Sequence, residues 1–364
     1  MTDQMTDMII NKSDFKDTRW SERGSAHDCS LNDGDILVRL DKFALTANNI
    51  TYMVFGEAMQ YWEFFPVPEA GHGRVPVFGY ATVVRSHCES VPVGSRYFGY
   101  FPLSSHLKMH PGQIREQYFF DHSSHRKNLF SAYNKYTYCE PELTDASGEA
   151  TQAVLKPLFV TSYLAEDYFS ENNFFGAEQI IVISASSKTA IAFAACCQRN
   201  ESSSATVVGL TSTANTDFVS GLGCYQKVFS YEQLNKIDTA QPTLIVDFAG
   251  NGPLVKSLHE ALGNNIVHSC TIGKSHWDAE YQPTNFPGPR PKAFFAPAQI
   301  NHRIEQWGVE TFDTHLENDW NAFSQQARNW FQLLEARGPA AIDTVYASVL
   351  AGNNDPASAN VLVF

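Results

Sequence analysis

The sequence predicts an α/β protein with two parts, a doubly wound parallel sheet and a β-rich domain. Strand and helix patterns alternate from about residue 179 to residue 273, as they do in a parallel sheet covered by helices. Before this region, short runs of alternating apolar residues are separated by glycine and proline turns, which is typical of a small barrel or rolled sheet. The 364 residues are enough for two domains.

Composition limits the class of protein. Apolar residues make up 43% of the chain, which supports large cores and excludes a disordered or collagen-like chain. The net charge of −13 argues against nucleic acid or an anionic membrane as the main partner, because both attract a basic face. No stretch resembles a membrane helix, and the first residues do not resemble a signal peptide. We therefore expect a cytoplasmic protein with a small-molecule substrate.

The cysteine pattern favours reduced thiols. The number of cysteines, seven, is odd, and there is no Cys-x-x-Cys pair. Cys196 and Cys197 are adjacent, which suits neither a structural zinc site nor an ordinary disulfide.

The amino-terminal third is predicted to form strands. Apolar residues alternate over 36–40 after a turn at 33–35. The segments VPVFGYATVVRS and SRYFGYFP are two further strand patterns, and residues 92–94 form the turn between them.

The middle of the chain changes period. Residues 158–169 have helical spacing, and a continuous apolar strand follows at 180–183. An Ala-rich helix then begins near Ser186 and Ser187. Four more strands are predicted in ATVVGL, QKVFSY, PTLIVDFAG and NNIVHSCTIG, with short helices in NTDFVSGLG and PLVKSLHEALG.

The carboxyl-terminal region is different again. The segment NFPGPRPKAFFAP is too rich in proline for a regular element. Residues 300–338 have the pattern of two amphipathic helices around Gly308, and SANVLVF resembles a closing strand. We predict a β-rich catalytic domain at 1–155, completed by 320–364. The second domain is predicted at 156–319, with a Pro-rich and helical insertion at 279–319.

The turn after the first parallel strand is a candidate phosphate site. Ligands bind at the carboxyl ends of parallel strands, and a helix N-terminus offers N–H groups and partial positive charge to a pyrophosphate. The candidate contacts are Ser186, Ser187, Lys188 and Thr189. Because the Gly-x-Gly-x-x-Gly pattern is absent, an ordinary Ser-capped helix is an equally good interpretation of this turn alone.

The end of the next strand favours a phosphorylated ribose. A site for NADH usually has an acidic residue here, about 20 residues after the glycine-rich turn. This strand ends instead in Thr211, Ser212 and Asn215, and the first acid is Asp217. Small hydroxyl residues leave room for a 2′-phosphate and donate to it. If a dinucleotide binds, NADPH is therefore favoured over NADH, with Lys188 as the nearby cation.

Two further strand ends lie on the same side of the predicted sheet. The fourth strand is followed by Ala249 and Gly250, and the fifth by Gly273. A nicotinamide would reach this edge, although a plain turn explains the fourth strand end equally well.

The order of these motifs resembles that of the medium-chain dehydrogenase/reductase superfamily. GDILVRLDKFAL, VPVFGYATVV and VGSRYFGYFP resemble strands of its amino-terminal domain, LKPLFVTSYLAEDYF its linking helix, and LIVDFAGN its fourth strand. ALTANNITYMVFGEAMQYWEFFP and GPRPKAFFAP are similar to an offshoot catalogued as a domain of unknown function. The resemblance implies a GroES-like β-rich domain, a Rossmann-like domain and a homodimer. It adds Thr161 and Tyr231 to the expected NADP contacts.

The resemblance also implies a zinc-free reductase. Zinc-dependent members of the superfamily use a cysteine after the first core strands and a Gly-His-Glu segment later. Thr-Ala-Asn-Asn and Phe-Gly-Tyr stand at these places, residues 46–49 and 78–80, and His72 is the one nearby candidate ligand. Without a thiolate or imidazole there is no inner shell for Zn²⁺. The chain is thus similar to quinone oxidoreductases and double-bond reductases.

A zinc-free mechanism needs hydrogen bonds to the substrate oxygen. Tyr52 matches a tyrosine of the zinc-free branches, and Asn48 or Asn49 lies one helical turn away. We expect hydride transfer from NADPH to an enone or quinone, with Tyr52 and an Asn amide holding the enolate oxygen. For Tyr52, the alternative is a tyrosine packed in the core. For the protein, the alternatives are a ketone or alcohol oxidoreductase on the same fold and a non-catalytic nucleotide-binding protein.

The expected substrate pocket is aromatic. Its candidates are Tyr61, Trp62, Phe65, Phe294 and Phe295. Such residues are more often core than pocket. Consecutive aromatic residues cannot all point inward on one element, however, so some are expected to line a cleft or an interface. We favour a cleft for an apolar or aromatic carbonyl substrate.

Overall fold

The computed structural model describes residues 3–140, 146–273 and 287–364. The chain divides into two compact units. The first unit contains Met1–Val154, Leu333–Asn354 and Ser358–Phe364, and the second contains Leu155–Gln332 and Asp355–Ala357. The predicted boundary at residue 320 is wrong, because residues 320–332 belong to the second unit. Trp320 and Phe323 pack there against Phe159, with ring centroids 5.6 and 5.0 Å away.

The strands are β1 (Gln4–Asn11), β2 (Asp14–Ser25), β3 (Ile36–Ala44), β4 (His72–Gly73), β5 (Pro76–Ser86), β6 (Arg96–Pro102), β7 (His106–Met109), β8 (Pro111–Gly112), β9 (Tyr118–Asp121), β10 (Lys135–Tyr138), β11 (Gln179–Ile183), β12 (Thr206–Thr211), β13 (Lys227–Ser230), β14 (Thr243–Asp247), β15 (Ile266–Thr271), β16 (Lys292–Ala293), β17 (Gln332–Arg337) and β18 (Ser358–Val363). The α-helices are α1 (Ala47–Val54), α2 (Ala146–Glu171), α3 (Lys188–Arg199), α4 (Thr216–Gly221), α5 (Gly252–Leu262), α6 (Ala296–Trp307), α7 (Val309–Ala327) and α8 (Pro339–Leu350).

The first unit is built on β-sheets, as predicted. Strands β3, β5 and β6 coincide with the three predicted strands and are antiparallel neighbours. They lie inside a sheet of order β17-β18-β3-β5-β6-β10-β9-β8, with β7 also paired to β3. A second sheet has the order β2-β1-β4. Helix α1 follows β3 directly and begins at the N-cap Thr46.

The second unit contains the predicted doubly wound sheet. Its strands are parallel and have the order β13-β12-β11-β14-β15-β16. The strand order reverses at β11, so the crevice for a ligand lies at the carboxyl ends of β11 and β14. Ile181, Val208 and Ile245 are fully buried between the helices, which explains the unbroken apolar runs in the sequence.

Several carboxyl-terminal elements differ from the predictions. The two helices around Gly308 are confirmed as α6 and α7, but the predicted helical pattern continues to residue 338 whereas α7 ends at Ala327. The following residues form β17, because pairing with β18 overrides their helical preference. The Pro-rich segment contributes the two-residue strand β16, and residues 274–286, where the predicted insertion begins, lie outside the described residues. No described helix has the length and apolar character to cross a membrane.

Candidate functional site

The loop from β11 to α3 has the backbone of a phosphate site without its glycines. Ser184, Ser186 and Thr189 occupy the three places that a Gly-x-Gly-x-x-Gly motif gives to glycine. Ser184 has φ +60°, in the left-handed region that favours glycine. Ser187 is the N-cap and accepts from the N–H of Ala190 at 3.3 Å. The remaining first-turn N–H groups of α3 have no acceptor within the helix and are available to an anion.

The backbone of Ser184 gives a stability prediction. Replacing Ser184 with glycine is expected to stabilise the protein by about 1 kcal/mol, because the left-handed conformation costs an L-residue about that much. The lost contact is weak, since the hydroxyls of Ser184 and Tyr231 are 3.5 Å apart. Urea unfolding checks the prediction. The control is Ser187→Ala, where φ is −73° and loss of the cap should destabilise by about 1 kcal/mol. Destabilisation of both variants would contradict the strain argument.

The end of β12 packs closely on this loop. A Cβ at Gly209 would lie 3.0 Å from the Cβ of Ala185, so a larger residue here would require Ala185 to shift by a few tenths of an ångström. Thr211 is fully buried, and its Oγ1 has no hydrogen-bond partner among the described residues. The Nδ2 of Asn215 donates to the Oγ of Ser186 at 3.1 Å. Predicted contact residues from the first two strand ends therefore meet at one edge.

A carboxylate that the sequence analysis did not predict lies at the same edge. Glu232 follows β13 by two residues, and its Oε2 accepts from the Oγ1 of Thr213 at 2.6 Å. Hydrogen bonds from Thr213 and Ser230 lower the pKa of Glu232. Ser212, half-buried, stands directly before Thr213. The sequence of β12 alone does not indicate Glu232, because the contact depends on β13 being the neighbour of β12.

Lys188 does not point its charge to the end of β12, contrary to the expectation. Its Nζ donates to the carbonyl of Pro356 at 3.1 Å and lies 5.1 Å from the ring centre of Phe331. Burial lowers the pKa of Lys188 to about 8, and the charge of Asp355 offsets part of this effect. The ammonium group thus holds residues 355–357, and it is the backbone of Lys188 that faces the candidate phosphate site.

The turns after β14 and β15 are linked by hydrogen bonds. The Oδ1 of Asp247 accepts from the N–H groups of Ala249 and Gly250 at 2.9 and 3.0 Å. The carbonyl of Asp247 accepts from Ile272 at 2.8 Å, and Gly273 follows, buried. Asp247 thereby binds the N–H groups of Ala249 and Gly250, the two residues expected near the nicotinamide, so these residues would contribute through the shape of the turn.

Two adjacent hydroxyl residues of α2, Thr161 and Ser162, have different hydrogen-bond partners. The hydroxyl of Thr161 donates within α2 to the carbonyl of Pro157 at 3.3 Å. The next hydroxyl, that of Ser162, donates to the carbonyl of Thr189 at 2.7 Å and joins α2 to the start of α3. Ser162 therefore positions the phosphate loop, whereas the Thr161 hydroxyl is satisfied by its own helix.

In the first unit, Asn48 and Asn49 have different roles. The Oδ1 of Asn49 accepts from the N–H of Thr46 at 2.7 Å, and its Nδ2 donates to the carbonyl of Pro76 at 2.7 Å. Both halves of this buried amide are hydrogen-bonded to backbone groups, and the catalytic role expected of Asn49 stays a prediction. The side chain of Asn48 hydrogen-bonds to Tyr52, which leaves Asn48 as the partner on this helix.

Tyr52 belongs to a cluster of four tyrosines. Its ring centroid lies 4.9 Å from that of Tyr61, 5.4 Å from Tyr100 and 6.1 Å from Tyr133. The hydroxyl of Tyr52 hydrogen-bonds to Asn48 and Tyr133, and the hydroxyls of Tyr61 and Tyr133 are 3.4 Å apart. Burial raises the pKa of Tyr52, so its phenol stays protonated at neutral pH and can donate. Sequence patterns do not indicate Tyr100 or Tyr133 as members of the cluster, because these residues come from β6 and from a distant 3₁₀ helix, residues 131–134.

The five residues that were expected to line one aromatic pocket lie in different surroundings. Tyr61 and Phe65 join the tyrosine cluster, whereas Trp62 fills the space over two glycines. A Cβ at Gly56 would lie 2.0 Å from the Nε1 of Trp62. All three aromatic side chains are buried, and their role in lining a cleft stays a prediction. A short 3₁₀ helix distributes successive side chains around its axis, and each ring finds a different neighbour.

The other two pocket candidates lie in the second unit. Phe294 and Phe295 are half-buried, and the ring centroid of Phe294 is 5.9 Å from that of Tyr168. No group of three His, Cys, Asp or Glu side chains able to hold a metal ion occurs in the described parts of the chain. The Nδ1 of His72 lies 3.1 Å from the carbonyl oxygen of Ala70 and 3.3 Å from the Oε1 of Glu69. Zinc independence stays a prediction.

Solved structures share this fold along nearly the whole chain. CurA from Vibrio vulnificus in complex with NADPH is 12% identical, with a TM-score of 0.61 and coverage of 98% of both chains. The yhdH oxidoreductase from Salmonella enterica in complex with NADP is 10% identical, with a TM-score of 0.54 and 99% coverage of both. A mutant enoyl thioester reductase from Candida tropicalis is 11% identical, with a TM-score of 0.59, covering 99% of this chain and all of that one. The protein thus has the fold of the medium-chain dehydrogenase/reductase superfamily.

The family assignment comes from a different comparison. No protein with a curated description matches the sequence. A family model described as a protein of unknown function, DUF2855, matches residues 43–355. This match spans part of the β-rich unit and the whole described parallel sheet. The chain therefore belongs to the DUF2855 family.

Proposed function

We propose that the protein is a zinc-independent, NADPH-dependent oxidoreductase that reduces an apolar or aromatic enone or quinone. The observation that carries the proposal is the edge formed by the β11–α3 loop and the end of β12. It lies at the reversal point of a parallel sheet, where dinucleotides bind in this type of fold. The complexes of CurA with NADPH and of yhdH oxidoreductase with NADP support this cofactor.

The residues at this edge fit a dinucleotide. The Oγ1 of Thr211 is a buried hydroxyl without a partner among the described residues, which is costly unless a ligand satisfies it. The free N–H groups at the start of α3 would hold the pyrophosphate, and Ser186 would add a hydroxyl donor. Ser212 would donate toward the ribose 2′-phosphate. When bound, NADPH supplies the hydride.

Tyr52 is the proposed donor to the substrate oxygen. Its phenol is protonated at neutral pH and is hydrogen-bonded by Asn48. A donor in an apolar surrounding stabilises the negative charge that develops on an enolate oxygen. The surrounding rings of Tyr61, Tyr100 and Phe78 support an apolar or aromatic substrate class.

Cofactor binding tests the proposal directly. NADPH is expected to raise the thermal midpoint and to gain fluorescence on binding, and NADH to give weaker responses at equal concentration. A ligand at about 100 times its dissociation constant stabilises the folded state by about 2.7 kcal/mol. Thr211→Val should weaken binding without unfolding the protein, because the two side chains have similar shapes.

The matched control for this variant is Thr206→Val at the amino end of the same strand. It should leave binding unchanged, since ligands bind at the carboxyl ends. If the wild-type protein responds to neither NADPH nor NADH, the proposed function is wrong. If both valine variants bind like the wild type, the assignment of Thr211 is wrong.

A further inference from the structure

Glu232 brings a negative charge to the ribose end of the proposed nucleotide site. Its Oε2 and the Oγ1 of Thr213 are 2.6 Å apart. Thr213 follows Ser212 at the end of β12, the position where the ribose 2′ substituent lies in sheets of this order. The carboxylate that is missing from β12 is thus supplied by the 3₁₀ helix that follows the neighbouring strand β13.

The position of Glu232 is fixed from both sides. Ser230 is the N-cap of the 3₁₀ helix that contains Glu232, and it forms a capping box with Gln233. On the other side, Thr213 donates directly to the carboxylate. Strands β12 and β13 pair in register up to Thr211 and Ser230, so the two strand ends stay adjacent.

The charge of Glu232 is not balanced by Lys188, the cation that the sequence predicts at this edge. The ammonium group of Lys188 donates to the carbonyl of Pro356, in the segment that follows α8. A 2′-phosphate next to Glu232 would therefore meet a like charge, whereas a 2′-hydroxyl would find an acceptor. Like charges a few ångströms apart at a surface disfavour binding by roughly three- to tenfold at low salt.

We propose that Glu232 is a specificity-determining residue that lowers the preference for a 2′-phosphorylated nucleotide. This inference rests on the proposed function, because it assumes that the nucleotide binds at this edge. Glu232 reduces, without abolishing, the discrimination in favour of NADPH over NADH in the wild-type protein. Removal of the Glu232 charge increases the preference for the 2′-phosphate, which the hydroxyl residues Thr211 and Ser212 provide.

The test uses two nucleotides without a nicotinamide, adenosine 2′,5′-bisphosphate and AMP, and measures their affinities by calorimetry. Glu232→Gln keeps an acceptor oxygen but loses the charge. It is expected to raise the affinity ratio of bisphosphate to AMP by roughly three- to tenfold, with a smaller rise in high salt. Glu232→Lys should raise the ratio further. Glu201→Gln, which removes the same charge from an exposed turn after α3, should leave the ratio unchanged.

Different failures have different meanings. If wild-type protein binds the nucleotides but Glu232→Gln and Glu232→Lys leave the ratio unchanged, the role of Glu232 is overturned and the proposed function stands. The same holds if Glu201→Gln shifts the ratio as much as Glu232→Gln. If the wild-type protein binds neither nucleotide nor NADPH, the proposed function itself fails.

Discussion

Replacing Tyr52 with phenylalanine is expected to reduce turnover of an enone or quinone by about 100- to 10,000-fold, the usual contribution of a positioned proton donor. The ring would keep its packing against Tyr61 and Tyr100, so the loss would come from the hydroxyl alone. Most of the effect should appear in kcat, because the hydrogen bond strengthens as charge develops on the substrate oxygen. A screen of enones and quinones with NADPH consumption as the readout supplies the substrate.

The matched control for this variant is Tyr61→Phe. It removes a phenol from the same cluster, one whose hydroxyl lies 3.4 Å from that of Tyr133. This variant should retain turnover within about tenfold, since Tyr61 would act only through Tyr133 and Tyr52. Equal losses in the two variants would show that the cluster, rather than Tyr52, matters. Full activity of Tyr52→Phe would remove Tyr52 from the mechanism.

The pH dependence of turnover gives a second view of Tyr52. Because burial raises the pKa of its phenol above the ordinary value near 10, Tyr52 remains a donor across the neutral and mildly alkaline range. Its ionisation should therefore cause no fall in kcat below about pH 10. A fall below this pH that disappears in Tyr52→Phe would contradict the role of burial.

Replacing Glu166 with glutamine is expected to stabilise the protein by roughly 3 kcal/mol above about pH 8 and to change little near pH 4.5. Glu166 lies in α2 with 8% of its surface exposed, and its Oε1 accepts from the Nδ2 of Asn200 at 2.6 Å. Burial raises the pKa of Glu166 to about 7, and the charges of Asp167 and Asp319 add to this effect. Asn200 and Arg199 offset only part of it.

The direction of the pH effect follows from the proton balance. The folded pKa, about 7, is above the unfolded value of 4.5. Between these two values the folded chain binds more protons than the unfolded chain, so Glu166 lowers stability as the pH rises. Glutamine keeps the acceptor for Asn200 and carries no charge, which removes this loss.

Urea unfolding at a series of pH values measures the difference between Glu166→Gln and the wild-type protein. The difference should be near zero at the acidic end and should grow through about pH 7. Glu305→Gln, on the exposed face of α6, should give a flat difference. A difference for Glu166→Gln that does not change with pH would mean that the carboxylate is ionised throughout, and the explanation by burial would be wrong.

The sequence predicts the central strands of the parallel sheet and of the sheet that contains β3 well because their signals are local. The unbroken apolar runs of β11 and β14 and the alternation at the start of β3 are visible within a few residues. The strand β17 is missed because pairing with β18, and not local preference, determines its conformation. Regular elements that depend on a distant partner are therefore the ones that sequence patterns miss.

The candidate site is predictable only in part for the same reason. The strand ends that carry Ser186 and Thr211 are correctly placed at one edge, because parallel strands end together. Glu232 belongs to that edge only through the neighbouring strand. The separate roles of Asn48 and Asn49 depend on the backbone carbonyl of Pro76, whose position no side-chain pattern reveals.

Strand β18 has a consequence for biosynthesis. Val361 pairs with Ala44, so β18 fills a position in the same sheet as β3, which leaves the ribosome long before it. The parallel sheet, by contrast, is complete once β16 has been synthesised. The parallel sheet can therefore form first. Until β18 has been synthesised, the sheet that contains β3 has an unpaired strand edge, which chaperones would need to shield during translation.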